Sequence, residues 1–467
     1  MVQAKALPRN ETGIATALGV LKQKFGERFQ TGQAICEQHG HTTTWIETQA
    51  PDAVVFPNST QEVADIVTVC AAHKVPIIPF GIGSSLEGHV NAPAGGISVD
   101  FGQMDAILAV NTQDLDCVVQ PGVTREQLNV YLRDQGVFFP IDPGANASIG
   151  GMTATRASGT NAVRYGTMKD NVLAVEAVMA DGKVIRTAQR ARKSSAGYDL
   201  TRLMVGSEGT LGLITEITLK LQGIPEAIRS ARCSFPSLDA ACQTVMQVIQ
   251  YGLPVARIEL LNALQVKACN AYSKLDLPET PLLLLEFHGT DGGVVEQTGI
   301  FEAIAEEHGG TGYLATTTAE ERNKLWQARH DAYWASLQLR PGAKGISTDV
   351  CVPISRLAEC VGATQDKLSE LGLIAPIVGH AGDGNFHCLV LVDMDNDAET
   401  AKAEDFVGWL ADLAISMEGT CTGEHGIGQG KMPYLMKELG PATDTMAAIK
   451  AALDPDDILN PGKVLRR

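Results

Sequence analysis

Ile14, Leu18, Leu21 and Phe25 recur at helical spacing, which predicts an amphipathic helix over residues 12–30, placed as a lid or strap ahead of the first domain. Ser59 and Glu62 stand three apart before Val63, Ile66, Val67 and Cys70, the pattern of a capping box. The segment VPIIPF (75–80) follows as a short apolar strand, so a helix feeds a strand. Between about 97 and 222 the signals are short and β-like: GISVDF, AILAV, DCVVQPG, VLAVEAVMADGKVIRT and LGLITEITLKL, interrupted by a glycine-rich stretch at 144–166. Beyond about 225 strands and helices alternate. RSARCSF, ARIELLN, PLLLLEFHG and TGYLATTT read as strands, and LDAACQTVMQVIQYG and VVEQTGIFEAIAEEHG as helices. That succession is the βαββαβ order of a ferredoxin-like unit. Residues 319–339 read as helix, KGISTDVCVP as extended, ISRLAECVGATQDKLSEL as helix, and IAPIVGHAGDGNFHCLVLVDM as a hairpin with Asp383-Gly384 at its tip. The turn-rich end, DPDDILNPGKVLRR, is expected to dock back on the first domain.

Length and charge narrow the function. At 467 residues the chain has room for two or three domains. Its 37 Lys and Arg against 54 Asp and Glu leave a net charge of −17, an adverse field for a phosphate backbone, so nucleic acid is excluded as a partner. No apolar run reaches the ~18 residues a membrane span needs. The N-terminus lacks the apolar centre of a secretory signal, and Glu11 and Glu27 interrupt any transit pattern, so a cytosolic protein is expected. The ten cysteines are scattered. The nearest pairs, Cys233/Cys242 and Cys351/Cys360, lie nine apart and no CxxC occurs, which argues for buried thiols rather than clusters, cysteine zinc sites or disulfides.

Three glycine-serine loops stand out in the β-rich half: PFGIGSSLEGH (79–89), PIDPGANASIGGMTATRASGTNAVRYG (140–166) and MVGSEGTLGLITEITL (204–219). Consecutive backbone N–H groups in such loops cradle a pyrophosphate. In the first, Leu86 stands where GxGxxG needs its third glycine, so a nicotinamide fingerprint is excluded. GEHGIGQGK (423–431) fails as an ATPase loop, because His425 replaces a required glycine and Met432 follows Lys431.

A second constellation carries reactive groups. His380 and His387 sit seven apart in GHAGDGNFH, and Glu424 precedes His425 in a glycine-bounded turn. If the loop is a hairpin, both imidazoles converge at its mouth. Two histidines and one glutamate give a three-ligand site with open positions, the composition of catalytic zinc and related divalent ions. His425, beside a ligand but not one itself, would suit a general base, because the reference pKa of imidazole, ~6.5, lies close to neutral pH. Arg329, Arg340 and Lys344 offer partners for a substrate carboxylate, or equally an exposed charged face. Trp326, Tyr333 and Trp334 read as core or interface.

In order along the chain, PFGIGSSLEGH, VVQPGVT, DPGANASIGGMTATRASGTNAVRYGT, LMVGSEGTLGLITEITLKL, RPGAKGISTDVCVP, GHAGDGNFH, GEHGIGQGK and DPDDILNPGKV resemble the signatures of cytochrome-type FAD-linked D-lactate dehydrogenases. These belong to the vanillyl-alcohol oxidase / p-cresol methylhydroxylase flavoprotein superfamily, and the resemblance runs from about residue 50 to the end. It implies an α+β fold: a two-subdomain PCMH-type FAD-binding domain (48–225), a ferredoxin-like α+β cap carrying the substrate and metal sites (226–430), and a C-terminal segment returning to the flavin domain (431–467); the N-terminal helical segment (1–47) lies outside the match and rests on the helical spacing above.

By the same resemblance Pro79, Gly81, Ile82, Gly83, Ser84, Ser85 and Gly88 lie along the pyrophosphate loop. Pro121, Gly122, Val123, Pro143, Gly144, Ser148, Ile149, Gly150, Gly151, Ser158, Gly159, Gly166 and Gly212 line FAD, Glu208, Gly209 and Ile214 approach its adenine half, and Asn460 its isoalloxazine. His380, His387 and Glu424 take the ligand roles for one divalent metal (zinc, manganese or iron), His425 that of the base, and Arg329 and Lys344 those of carboxylate anchors. His89 lies in no covalent-flavin motif, so FAD is expected to be non-covalent. The implied reaction is oxidation of D-lactate to pyruvate, with electrons passed to cytochrome c, a quinone or an electron-transfer flavoprotein. Rival readings are the same chemistry on glycolate, 2-hydroxyglutarate or a longer D-2-hydroxy acid, a flavin-free metal-dependent enzyme, which would be colourless, and a non-catalytic flavin binder. The expected location is cytoplasmic or peripheral to the inner membrane, and a homodimer is compatible with the sequence.

Overall fold

The structure is a computed structural model, and it describes residues 6–316 and 318–465. The chain forms two compact units and crosses between them four times. The first comprises residues up to Ser158, Gly166–Ile224 and Glu424 onward, and the second Gly159–Tyr165 and Pro225–Gly423.

The first unit holds two principal sheets. Strands β1 (Phe29–Gln30), β2 (Ala53–Val55), β3 (Ile77–Phe80) and β4 (Ile97–Asp100) lie in the order β1-β2-β4-β3, with β2 and β3 both parallel to β4. A parallel pair needs a crossover, and Thr60–His73 supplies it as a helix. Ser59 caps that helix by accepting the Glu62 backbone N–H. The Glu62 carboxylate departs from the predicted reciprocal bond: it accepts from Asn58 N–H and pairs with Arg28, because a guanidinium offers a stronger partner than the cap.

The predicted N-terminal helix spans Glu11–Phe25 and is followed by a short 3₁₀ turn and β1. It is part of the core, not a strap: Ile14, Ala17, Leu21 and Phe25 are buried in one cluster with Val63, Ile66, Val67 and Cys70. In the same unit β5 (Ile107–Asn111), β6 (Asp116–Val119), β7 (Val137–Phe138), β8 (Val172–Val178), β9 (Val184–Arg186), β10 (Leu213–Lys220) and β11 (Gln222–Gly223) follow. They form the antiparallel sheet β5-β6-β10-β8-β9 and a separate pair, β7 with β11. The C-terminal segment closes onto β3, where Leu459 bridges Ile77 in parallel and Asn460 N–H donates to Ile77 O at 2.8 Å.

The second unit is one eight-stranded antiparallel sheet. Its strands are β12 (Ala227–Ser234), β13 (Val255–Leu261), β14 (Leu282–Gly289), β15 (Thr311–Thr316), β16 (Lys344–Ser347), β17 (Val350–Cys351), β18 (Ile377–His380) and β19 (Asn385–Val392). The order is β15-β12-β14-β13-β18-β19-β16, with β17 also on β19. Its first four strands have the 4-1-3-2 arrangement of a ferredoxin-like unit. Two of the longer helices of this unit escape the pattern reading. Ala263–Ser273, inserted between β13 and β14, is short and weakly amphipathic and is started by the Asn262 cap. Asp397–Ser416 buries Ala403, Phe406, Leu410 and Ala414 along one stripe that the sequence displays but that carries no chemistry. Among the described residues no helix is long and apolar enough to cross a membrane.

Leu21 is wholly buried, so Leu21→Ala is expected to lower stability by about 2–5 kcal/mol, seen as a lower urea midpoint by circular dichroism. An unchanged midpoint would restore the detachable-strap reading.

Candidate active site

In the second unit β18 and β19 form the expected hairpin, with Asp383 and Gly384 at its turn and Val378 paired with His387. The two imidazoles meet edge to face, ring centroids 5.5 Å apart. His380 Nδ1 lies 2.7 Å from Glu259 Oε1, and His387 Nδ1 lies 3.1 Å from the Thr348 carbonyl. A carbonyl or a carboxylate only accepts, so both rings carry their proton on Nδ1 in the neutral form. That leaves Nε2 as the lone-pair nitrogen, the form in which imidazole binds a cation.

Around the hairpin the polar groups interlock. Asn385 Nδ2 donates to Asp349 Oδ1 (2.8 Å) and Val350 O (2.7 Å), and Thr422 Oγ1 donates to Asp349 Oδ2 (2.7 Å). The Gly423 backbone packs on the Asn385 amide so closely that any side chain there would collide with it. Arg329, on the helix Ala319–His330, directs Nε (2.8 Å) and Nη2 (2.6 Å) to Glu259 Oε2. Glu259 has no exposed surface. Burial works against its charge, yet the adjacent His380 and Arg329 hold its pKa below the usual carboxylate value. Lys344 is not brought to this group. It is exposed at the start of β16 opposite Val392, five residues along β19 from His387, or roughly 17 Å at strand spacing.

The same sheet carries a second buried network. Glu286 accepts from Ser230 Oγ (3.1 Å), which itself accepts from Trp326 Nε1 (3.0 Å). Its other oxygen meets His288 Nε2 (2.9 Å), whose Nδ1 meets Tyr165 Oη (2.7 Å). Arg257 lies over the Trp326 ring at 4.7 Å and bonds Asn161 Oδ1 at 3.0 Å. Trp326 is therefore core, as its spacing suggested, while Trp334 is exposed.

In the first unit the three glycine loops meet. A side chain on Gly81 would run into Ser148 Oγ, and one on Gly209, whose φ is +72°, into Pro79. Ser148 caps the helix Ile149–Thr155, placing Ile149, Gly150 and Gly151 beside the first loop, with Gly150 against Pro121. Gly122, Val123, Gly166, Gly212 and Ile214 belong to this unit, Gly144 and Ile82 are exposed on it, and Gly159 groups with the second unit. The hydroxyls of Ser85 and Ser207 are buried with no protein hydrogen-bond partner among the described residues. Close-packed glycine backbones and two orphaned hydroxyls make a cradle that fits the pyrophosphate of a dinucleotide.

Beside it lies a charged knot. The buried Glu208 carboxylate accepts from the N–H groups of Ile427 (2.7 Å) and Gly428 (2.8 Å) and faces His89 Nε2 at 3.1 Å. Burial opposes its ionisation, but His89 and the two amides prevail and hold its pKa low. Asn460 Nδ2 donates to Glu208 O (2.7 Å) and His89 O (3.2 Å), so Asn460 ties the chain end to two loops. Lys463 donates to Asn91 O (2.7 Å) and Asn460 Oδ1 (3.2 Å), and burial pushes its pKa down to about 7. His425 Nδ1 faces Glu87 Oε1 across 3.8 Å, and Lys431 pairs with the same oxygen at 3.4 Å.

Residues 224–464 match the family described as FAD linked oxidases, C-terminal domain, and residues 51–188 match the FAD binding domain. The chain belongs to the FAD-linked oxidases. As a member of that family it is an oxidoreductase that uses FAD. It is similar to the probable mitochondrial D-lactate dehydrogenase of Danio rerio, 49% identical over 443 residues (94% of this chain, 89% of that protein). It is also similar to the mitochondrial D-lactate dehydrogenase [cytochrome] of Arabidopsis thaliana, 47% identical over 416 residues (89% and 73%). Among solved structures, p-cresol methylhydroxylase with substrate bound shares the fold at a TM-score of 0.81 and 17% identity, with 98% of each chain covered. The α+β, PCMH-type architecture expected from the sequence is thus the one observed.

Pattern reading missed Glu259, Asp349 and Asn385. The signal for the first was available, because Arg257 and Glu259 break an otherwise apolar strand at a spacing of two and so share one face.

The low Lys463 pKa has a direct consequence. The unfolded lysine keeps its proton to pH ~10.4, so the folded state binds fewer protons between about 7 and that value, and stability gains as pH rises through the window. Urea midpoints measured from pH 7 to 10 are expected to climb more for the native protein than for Lys463→Met; parallel profiles would contradict the assignment.

Proposed function

We propose that this FAD-linked oxidase oxidises D-lactate to pyruvate with the help of one divalent cation, zinc, manganese or iron, held by His380, His387 and Glu424. The observation that carries the reading is the hairpin pair of histidines with both Nδ1 atoms engaged by acceptors, which readies both Nε2 lone pairs for one ion. Glu424 joins the set by covalent connection: it follows Gly423, whose backbone is fixed against Asn385 on the same hairpin, and consecutive Cα atoms are only ~3.8 Å apart. The names of the two relatives support the substrate.

When bound, FAD supplies a hydride acceptor and the cation a Lewis acid that lowers the pKa of the substrate hydroxyl. The chain's own residues do the rest. His425, with Nδ1 turned toward Glu87, accepts the hydroxyl proton at Nε2. Arg329 holds the substrate carboxylate with the guanidinium hydrogens not spent on Glu259, and Lys344 is the looser assignment because of its distance along β19. The glycine loops around Gly81 and Gly209 hold FAD without a covalent bond, His89 being engaged by Glu208.

A protein carrier takes the electrons, and a cytochrome is favoured by the Arabidopsis thaliana relative's name. The net charge of −17 favours a basic carrier. Free cysteines, nine of them buried, fit a reducing compartment such as the cytoplasm.

Anaerobic mixing with D-lactate is expected to bleach the flavin absorbance and L-lactate to leave it. His425→Ala should retain FAD and slow D-lactate bleaching by about 10²–10⁴-fold. Equal bleaching by the two enantiomers, or an unaltered rate in the variant, would contradict the reading.

A further inference from the structure

Glu259 is the acidic residue among the apolar positions of β13, and it has no exposed surface. A carboxylate in that position is costly unless both oxygens are satisfied. Here the two oxygens are divided: Oε1 takes His380 Nδ1 at 2.7 Å, directly across the β13–β18 pairing, and Oε2 takes Arg329 Nε and Nη2 at 2.8 and 2.6 Å. One side chain therefore contacts a residue proposed to bind the cation and a residue proposed to bind the substrate carboxylate.

We propose that Glu259 is a positioning residue of the active site, setting the tautomer of His380 and the orientation of the Arg329 guanidinium at once. The proposal rests on the reading of His380 and Arg329 given above. As an acceptor only, the carboxylate requires the proton of His380 on Nδ1 and so keeps Nε2 as the ligating nitrogen; a partner of this kind also raises the basicity of the ring. The paired contacts to Arg329 fix the plane of the guanidinium, so the hydrogens not facing Glu259 point in one direction. Were Glu259 there for stability alone, an apolar residue of similar volume would serve as well or better, since buried ion pairs contribute little net stabilisation. A glutamine cannot reproduce the arrangement. Its single oxygen serves one partner, and its NH₂ group turns donor hydrogens toward the other.

The test compares the FAD-loaded native protein with Glu259→Gln. Mn²⁺ affinity, measured by calorimetric titration after chelator treatment, is expected to fall 10–100-fold in the variant. The D-lactate concentration for half-maximal flavin bleaching should rise, with FAD content unchanged. In ¹⁵N-histidine-labelled, metal-free native protein, the His380 signal, assigned by its loss in His380→Gln, should show a protonated Nδ1 and an unprotonated Nε2. In Glu259→Gln that signature should become mixed.

Native-like Mn²⁺ affinity together with an unaltered His380 spectrum in the variant would overturn the proposal. A native His380 carrying its proton on Nε2 would overturn it without any variant, which covers the case of Glu259→Gln failing to fold. Failure of the native protein to take up Mn²⁺ would count against the cation reading instead, and the His380 spectrum would still decide the role of Glu259.

Discussion

A one-residue slip of β19 against β18 would send His387 to the opposite face of the sheet, because side chains alternate along a strand. The pairings of Val378 with His387 and of Glu259 with His380 are the constraint on which the rest of the active site depends. The two strands of one hairpin and a third strand, whose Glu259 lies 121 residues before His380, deliver two imidazoles and a carboxylate to one face. The apolar face of the same strands pins this arrangement: Ile258, Leu260, Ile377 and Cys388 are all buried.

Charges on the cap sheet are handled in pairs. Arg329 lies against Glu259 and Arg257 near Glu286, so each of these half-buried cations is matched before any substrate arrives. Burial disfavours both carboxylates in their charged form, and in each case the adjacent His and Arg outweigh it and keep the group ionised. The arrangement gives little net stability, but it fixes rotamers, and fixed rotamers are what a site for a small, strongly polar substrate requires.

Much of this was legible in the sequence, for physical reasons that can be named. Short apolar runs exposed β12 to β14 and the β18–β19 hairpin, glycine spacing exposed the three loops that meet at Ser148 and Pro79, and His380 and His387 were conspicuous on either side of a glycine-rich turn. The ferredoxin-like order was readable although the helix Ala263–Ser273 was not, because that helix has only a faint apolar stripe. Arg257 and Glu259 marked one polar face of their strand, but the role of Glu259 stayed hidden because its partners, His380 and Arg329, come from distant segments. The segment Gly159–Tyr165, carried by the glycine-rich stretch yet grouped with the second unit, was beyond pattern reading altogether, since chain proximity and spatial membership diverge there. The return of the C-terminal segment to the first unit was expected from its turn-rich composition, but its register, Leu459 in a parallel bridge with Ile77, joins distant segments and no local periodicity encodes it.

The central claim is that the two hairpin imidazoles share one divalent cation. X-ray absorption fine structure on the Mn²⁺-loaded protein tests it most directly, because scattering from rigid imidazole rings counts histidine ligands. The account predicts two imidazoles in an otherwise oxygen first shell, falling to one in His387→Ala. A shell of oxygen atoms alone, or one unaltered by that substitution, would contradict it.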